Sequence, residues 1–214
     1  MVSILTKNFD KIGIPNFNGK DIKGISDIDF AFVLENVVYI AECKKNYHPT
    51  DIFECRTTLD AIHKAERQLS RIMGSIGKGV YRKEICKKFN LNESEAEFVP
   101  FIITSNRIFS NSNAFKYPVR YFKELIRFVE EGTINIGEKE IFVRDNAITK
   151  EDMAFYLGEE SPYMDPFKKC MKKCIYNFKD PKFNINTEDY YLDIEELNEY
   201  CAKKWDATIF RDKD

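Results

Sequence analysis

Residues 25–45 read ISDIDFAFVLENVVYIAECKK, and they contain the two strands that decide the fold. β-Branched and aromatic residues are frequent in Ile25–Leu34 and again in Val37–Cys43, and Glu35-Asn36 between them predicts a tight turn. The two runs therefore predict an antiparallel hairpin. Val37–Ala41 is nearly continuous in apolar character, which is typical of a strand inside a sheet.

The elements around this hairpin predict an α/β fold in which helices cover a sheet. Residues 1–24 read as turns and short extended pieces because glycine and proline recur among polar residues. The chain after residue 150 is helical in pattern but interrupted by prolines. The other expected elements are helices at Asp51–Ile76, Tyr81–Phe89 and Val119–Glu131, a buried strand at Phe98–Thr104 and an edge strand at Glu140–Val143. We expect an α/β core over residues 1–149 and a helical C-terminal extension, residues 150–214, packed on it.

The composition is that of a globular protein with a hydrophobic core. The 214 residues are 43% hydrophobic, which is enough for a core, and 33 Lys and Arg balance 35 Asp and Glu. Neither a run of about 18 apolar residues nor a secretory signal is found, so we expect no membrane partner and a cytoplasmic protein. Six cysteines in that setting predict reduced, buried or half-buried thiols.

Charge is unevenly distributed along the chain. Lys64–Lys88 holds eight Lys or Arg and two Glu, and Asp165–Lys182 holds six Lys and two Asp. Phe183–Cys201 holds six acids and no Lys or Arg. Such runs usually form solvated faces, but basic segments near a cluster of carboxylates also suit a phosphate backbone.

The polar residues of the hairpin form the candidate site. Strand alternation puts Asp27 and Asp29 on one face, and Glu42 and Lys44 on one face. If the strands pair, the acids converge at one end of the sheet. Two carboxylates and a main-chain carbonyl suit Mg²⁺, which prefers oxygen ligands and keeps several waters. A nearby lysine would orient a water or offset charge on a phosphoryl group.

Asp-x-Asp on one strand and Glu-x-Lys on the next, followed by a long helix and a buried strand, resemble the PD-(D/E)XK nuclease superfamily. The resemblance covers about residues 24–105. It implies a mixed central sheet of restriction-endonuclease-like fold and hydrolysis of phosphodiester bonds with Mg²⁺ or Mn²⁺. It implies that Asp29, Glu42 and the main-chain carbonyl of Cys43 are metal ligands and that Lys44 is the catalytic lysine.

Further residues are placed near the site by the same resemblance. Asp27 would support the metal ligands or replace one, and Gln68, with Lys64 one turn before it, would face the site from the helix. Members often carry another Glu on a helix before the first strand. None of residues 1–26 is Glu, so Asp10 or Asp21 would substitute or that ligand is absent, and Ser26-Asp27 stands where the family name has Pro-Asp.

The expected function is a metal-dependent endonuclease acting on DNA, with RNA as the second choice. Restriction, defence against foreign DNA and repair are compatible roles, and a homodimer would bring two sites to two strands. The first alternative is a degenerate nuclease-like fold that binds nucleic acid or serves assembly. The second is an iron–sulfur nuclease using Cys170, Cys174 and Cys201. The alternative without a functional site is that Asp27, Asp29, Glu42 and Lys44 are the polar face of a half-exposed hairpin.

Overall fold

The computed structural model describes residues 1–19, 28–112, 114–136, 139–142, 147–158, 161, 169–180, 183–204 and 211–212. The chain divides into two compact units. The first consists of Met1–Gly132 and Arg144–Gly158, and the second of Thr133–Val143 and Glu159–Asp214. The candidate site lies in the first unit. None of the described helices has both the length and the apolar character needed to cross a membrane.

The predicted hairpin is confirmed. Strand β2, Phe30–Leu34, pairs antiparallel with β3, Val37–Lys44, in a register that sets Ala31 opposite Ile40. Glu35 turns the chain with a left-handed φ of 54°. All five residues of β2 and the first six of β3 are buried, so both strands are interior, as the apolar run of β3 predicts.

A mixed five-stranded sheet organises the first unit, which is therefore α/β. Its strand order is β1-β2-β3-β4-β5, where β1 is Asn16–Phe17, β4 is Glu97–Thr104 and β5 is Val119–Tyr121. The β1, β2 and β3 strands are antiparallel neighbours, and β3, β4 and β5 are parallel ones. The connection from β3 to β4 contains α2, Ile52–Gly77, and α3, Arg82–Phe89, as the sequence predicts.

The two faces of the sheet pack against different helices. One face, with Val38 and Ile40, shares a core cluster with the buried side of α2, including Ile62, Ala65 and Leu69. Because strand side chains alternate, every second residue of β3 faces α2.

The opposite face is aromatic. Phe9 lies on helix α1, Val2–Lys11, and its ring contacts those of Phe30 and Phe32 at centroid distances of 5.1 and 4.8 Å. Helix α1 also packs against α4, Phe122–Glu131. The interpretation of residues 1–24 as turns and short extended pieces is therefore wrong for α1, which is held by burial of Leu5 and Phe9 one turn apart.

Two further predictions in this unit are settled. The helix expected at Val119–Glu131 begins only at Phe122, because Val119–Tyr121 pairs with β4 as strand β5, and it ends at Gly132 with a φ of 68°. Helix α5, Lys150–Leu157, confirms a helix after residue 150, and it begins with a capping box between Thr149 and Asp152.

The second unit is richer in strands than the predicted helical extension. Strands β6, Ile134–Ile136, and β7, Lys139–Phe142, form a three-stranded sheet with β10, Arg211–Asp212. The strand predicted at Glu140–Val143 is thus present, but it is the middle strand of this sheet, with neighbours on both sides.

The prediction of a helical C-terminal region is wrong for residues 171–192. Strands β8, Met171–Asp180, and β9, Phe183–Leu192, form an antiparallel hairpin. Tyr, Phe and Ile residues recur in both runs and favour a strand, and Lys173 Nζ pairs across the hairpin with Glu188 Oε1 at 2.6 Å. A helix follows as α6, Ile194–Lys204.

Candidate functional site

The candidate site lies where β3 ends. Glu42 and Lys44 continue the alternation of Val38 and Ile40, so their side chains are on the face of the sheet that α2 covers. The glutamate is only 2% exposed, whereas the lysine is half-buried at 15%. A strand that is apolar over most of its length therefore delivers a carboxylate and an ammonium to the rim of a packed core.

Asp29 stands opposite this pair. Continuing the hairpin register by two residues beyond Ala31 and Ile40 places Asp29 across from Glu42. Its Oδ2 accepts a hydrogen bond of 2.8 Å from the main-chain N–H of Cys43. In a strand the N–H and C=O of one residue point to the same side, so the Cys43 carbonyl is directed toward the side that holds Asp29.

Lys44 is fixed by two acceptors. Its Nζ lies 2.6 Å from Glu42 Oε1 and donates to Gln68 Oε1 at 2.8 Å. Gln68 is on α2 between Ala65 and Leu69, which are core residues. The helix that packs on the sheet therefore also positions the lysine.

Burial dominates the electrostatics of Glu42. Loss of hydration raises the pKa of this carboxyl from 4.5 to about 7, against the hydrogen bond from Lys44, which lowers the pKa, and the neighbouring Asp29 carboxylate raises the pKa further. Burial, with Asp29 and Glu42 nearby, also raises the pKa of the Cys43 thiol. Cys43 thus remains a neutral thiol, and its main-chain carbonyl is the group it offers as a ligand.

One oxygen of the site is left without a partner. Glu42 Oε2 is buried and accepts no hydrogen bond from the residues that the structure describes. An unsatisfied buried carboxylate oxygen is costly, and a cation would satisfy it. Glu42, Asp29 and the Cys43 carbonyl are all oxygen donors, so the set fits a hard cation such as Mg²⁺ or Mn²⁺ that retains waters. No group of three or more His, Cys, Asp or Glu side chains arranged for a metal occurs among the described residues, so the carbonyl and waters would have to complete the shell.

No family model, curated protein or solved structure matches this chain.

Of the residues predicted for the site, the structure brings together Asp29, Glu42, Cys43, Lys44 and Gln68. The predicted Lys64 is exposed, and it lines a cleft with Gln68 but does not reach the Glu42–Lys44 pair. Asp27 and Asp21 lie outside the described residues, so their places in the site stay predictions.

Helix α1 is the part of the site that the sequence did not indicate. Ser3, Thr6, Lys7 and Asp10 on this helix line a cleft of about 580 Å³ together with Asp29. Asp10, one of the two acids considered as a substitute for the upstream glutamate, accepts a hydrogen bond from Asn16 Nδ2 at 2.8 Å. Leu5 and Phe9, spaced four apart, were the available signal for this helix.

The cysteines do not add a second centre in the part of the chain described. Each of the six cysteines is buried or half-buried. Cys170, Cys174 and Cys201 are among the described residues but form no group arranged for a metal. The structure thus gives the iron–sulfur alternative no support.

Proposed function

We propose that this protein is a Mg²⁺- or Mn²⁺-dependent nuclease that hydrolyses phosphodiester bonds, with DNA as the expected substrate, on a restriction-endonuclease-like core. The observation that carries the proposal is that Asp29, Glu42 and Lys44 meet at the end of β3, where Glu42 Oε2 is buried without a partner among the described residues. A polar hairpin face would be solvated, whereas this carboxylate is 2% exposed. The strand order also agrees with the resemblance of the sequence to PD-(D/E)XK nucleases. The acids lie at the end of an antiparallel hairpin, and β4 pairs in parallel with β3 beyond it.

Each residue of the site would have its own role in phosphodiester hydrolysis. Asp29, Glu42 and the Cys43 carbonyl would hold the metal, which when bound supplies charge for the phosphoryl oxygens and lowers the pKa of a water. Asp29 is oriented by the Cys43 N–H. Lys44 Nζ would donate to the attacking water or to the charge that develops on the phosphate, and Gln68 would keep the ammonium in place through its 2.8 Å contact.

The direct test is cleavage of supercoiled, linear and single-stranded DNA, and of RNA, with Mg²⁺, Mn²⁺ or EDTA. We expect cutting of DNA with metal, none with EDTA, and loss of at least about 10²-fold in rate for Lys44→Ala. The exposed neighbour Lys45 provides a matched control, since Lys45→Ala removes the same charge one residue away. Equal cutting by wild type and Lys44→Ala would overturn the role given to Lys44.

One observation favours the alternative of a degenerate fold used for nucleic-acid binding or assembly. Lys44 already neutralises Glu42 at 2.6 Å without a metal. Titration calorimetry with Mg²⁺ separates the two functions, because a binding module has no need of a metal site. Heat that disappears in Glu42→Ala supports the nuclease, and no heat in the wild type supports the alternative.

Roles in restriction, defence or repair all suit such an activity. Cytoplasmic location and a homodimer with two sites on two strands belong to the same proposal. Sedimentation with and without DNA tests the dimer, since a monomer that cuts both strands would contradict it.

A further inference from the structure

A basic cleft leads away from the candidate site along α2. It has a volume of about 770 Å³, and its lining includes Lys64, Arg67, Gln68, Arg71 and Lys116. Gln68 joins the cleft to the site, because its Oε1 also accepts the hydrogen bond from Lys44 Nζ. The α2 cleft and the Glu42–Lys44 pair are therefore neighbours that share the side chain of Gln68.

The spacing of the cations follows the helix. Residues 64, 67, 68 and 71 fall within about 100° of arc around α2, at 100° per residue. At about 1.5 Å of rise per residue, Lys64 and Arg71 are about 10 Å apart along the axis. The α2 cleft thus presents a row of positive charge parallel to the helix and not a single point.

The row is available for an external anion. Lys64, Arg67 and Arg71 are exposed and make no ion pair with any residue that the structure describes. Elsewhere in the first unit Lys11 pairs with Glu130 and Arg127 with Glu131, whereas Lys83 and Lys87 on α3 are exposed and make no ion pair with the described residues.

The one acid in the cleft lining, Glu66, bonds to two other residues of that lining. Glu66 Oε2 lies 2.9 Å from His63 Nδ1, and Glu66 Oε1 accepts the main-chain N–H of Lys116. Glu66 thereby fixes the chain segment that carries Lys116, and Lys116 Nζ donates to Ser70 Oγ at 3.0 Å. A fourth cation is thus held at the cleft by contacts that do not neutralise it.

We propose that the α2 cleft binds the sugar–phosphate backbone of the DNA strand that leads to the scissile phosphate. The proposal rests on the proposed nuclease function, and it assigns Arg67, Arg71 and Lys116, with Lys64, to successive phosphates. Arginine and lysine side chains with free donors bind phosphate oxygens without reading sequence. The contacts therefore supply affinity and register of the strand on the enzyme.

Binding in EDTA tests the α2 cleft apart from catalysis. Anisotropy of a fluorescent 24-base-pair duplex would be measured from 50 to 200 mM salt for wild type and Arg67→Gln/Arg71→Gln. We expect at least about tenfold weaker binding at 100 mM salt, and a salt slope smaller by about 2, one for each lost phosphate contact. The matched control is Lys83→Gln/Lys87→Gln, which removes two exposed charges from α3 and should change affinity less than about threefold.

A small substrate separates this proposal from the nuclease proposal. Bis(4-nitrophenyl) phosphate has the scissile diester but no flanking phosphates, so the α2 variant should hydrolyse it at the wild-type rate while its KM for DNA rises. The proposal that the α2 cleft binds DNA would be overturned if the α2 variant kept wild-type affinity for DNA, or if the α3 control lost as much affinity. Either result would leave the proposal of nuclease activity standing. Conversely, the α2 variant could bind DNA weakly while the wild type shows no metal-dependent cutting. That result would support DNA binding by the α2 cleft and overturn the proposal of nuclease activity.

Discussion

Lys44 and Glu42 occupy alternate positions of one strand, and the Lys44 Nζ lies 2.6 Å from Glu42 Oε1 with the glutamate only 2% exposed. Removing one partner of a buried ion pair leaves the other charge uncompensated. We therefore expect Lys44→Ala to destabilise the metal-free protein by about 3 kcal/mol at pH 8, measured by urea unfolding. At pH 5 the loss should be much smaller, because Glu42 is then protonated.

The double variant Glu42→Gln/Lys44→Ala is the control for that prediction. With no buried charge left, it should recover at least about 1 kcal/mol of the loss at pH 8. Additive effects of the two substitutions would show that the pair is not coupled.

The raised pKa of Glu42 should make the free energy of unfolding depend on pH. Its pKa in the folded protein, about 7, lies above the ordinary 4.5, chiefly because the carboxyl is buried. The folded state therefore holds the proton more tightly, and the contribution of Glu42 favours folding below pH 4.5 and is lost as the pH rises through about 7. Relative to Glu42→Gln, the wild type should lose about 3 kcal/mol of unfolding free energy across this window.

Unfolding of wild type and Glu42→Gln at closely spaced pH values measures that difference, since the titration of groups that do not contact Glu42 cancels. A difference that does not change between pH 5 and 8 would contradict the raised pKa. Adding Mg²⁺ at pH 8 should restore stability to the wild type and not to Glu42→Gln, because only the wild type keeps the carboxylate ligand.

Gln68 is expected to act as a positioning residue for Lys44. Gln68→Leu removes the acceptor 2.8 Å from Lys44 Nζ and should lower kcat by about tenfold while KM for DNA stays nearly constant. Steady-state cleavage of a labelled duplex gives both constants. Gln68→Glu keeps an acceptor oxygen and should retain more activity, whereas an equal fall in both variants would mean that Gln68 acts only through packing of α2.

Helix α1 should stabilise the first unit mainly through the buried side chain of Phe9. Its ring is fully buried against Phe30 and Phe32, so Phe9→Ala should cost about 3–5 kcal/mol. Ile4 on the same helix is 48% exposed, and Ile4→Ala should cost less than about 1 kcal/mol. Thermal or urea unfolding distinguishes the two, and equal losses would show that α1 does not pack through Phe9.

The sequence predicted the hairpin and its acidic end because these depend on local rules. The apolar run of β3, the Glu35-Asn36 turn and strand alternation together place Asp29 opposite Glu42. Gln68 was harder to predict, since a helical glutamine looks the same in sequence whether it faces solvent or a lysine. Only the packing of α2 on Val38 and Ile40 decides that it meets Lys44.

The rest of the site needed the tertiary structure. Helix α1 has only Leu5 and Phe9 buried, and this short signal lies beside a segment rich in turn residues. Lys116 is 46 residues from Ser70, its side-chain partner in the α2 cleft, and no periodicity connects them. In the second unit, exposed tyrosines and isoleucines on β8 and β9 lack the alternation that would have indicated a hairpin.

The Glu35-Asn36 turn has a consequence that reaches far along the strands. Side chains alternate along β3, so one extra residue at this bend would rotate Glu42 and Lys44 to the aromatic side or slide Asp29 out of line. The bend lies about 20 Å from the carboxylates, at about 3.3 Å per residue. A change in the length of this remote bend should therefore displace all the charged groups of the site at once.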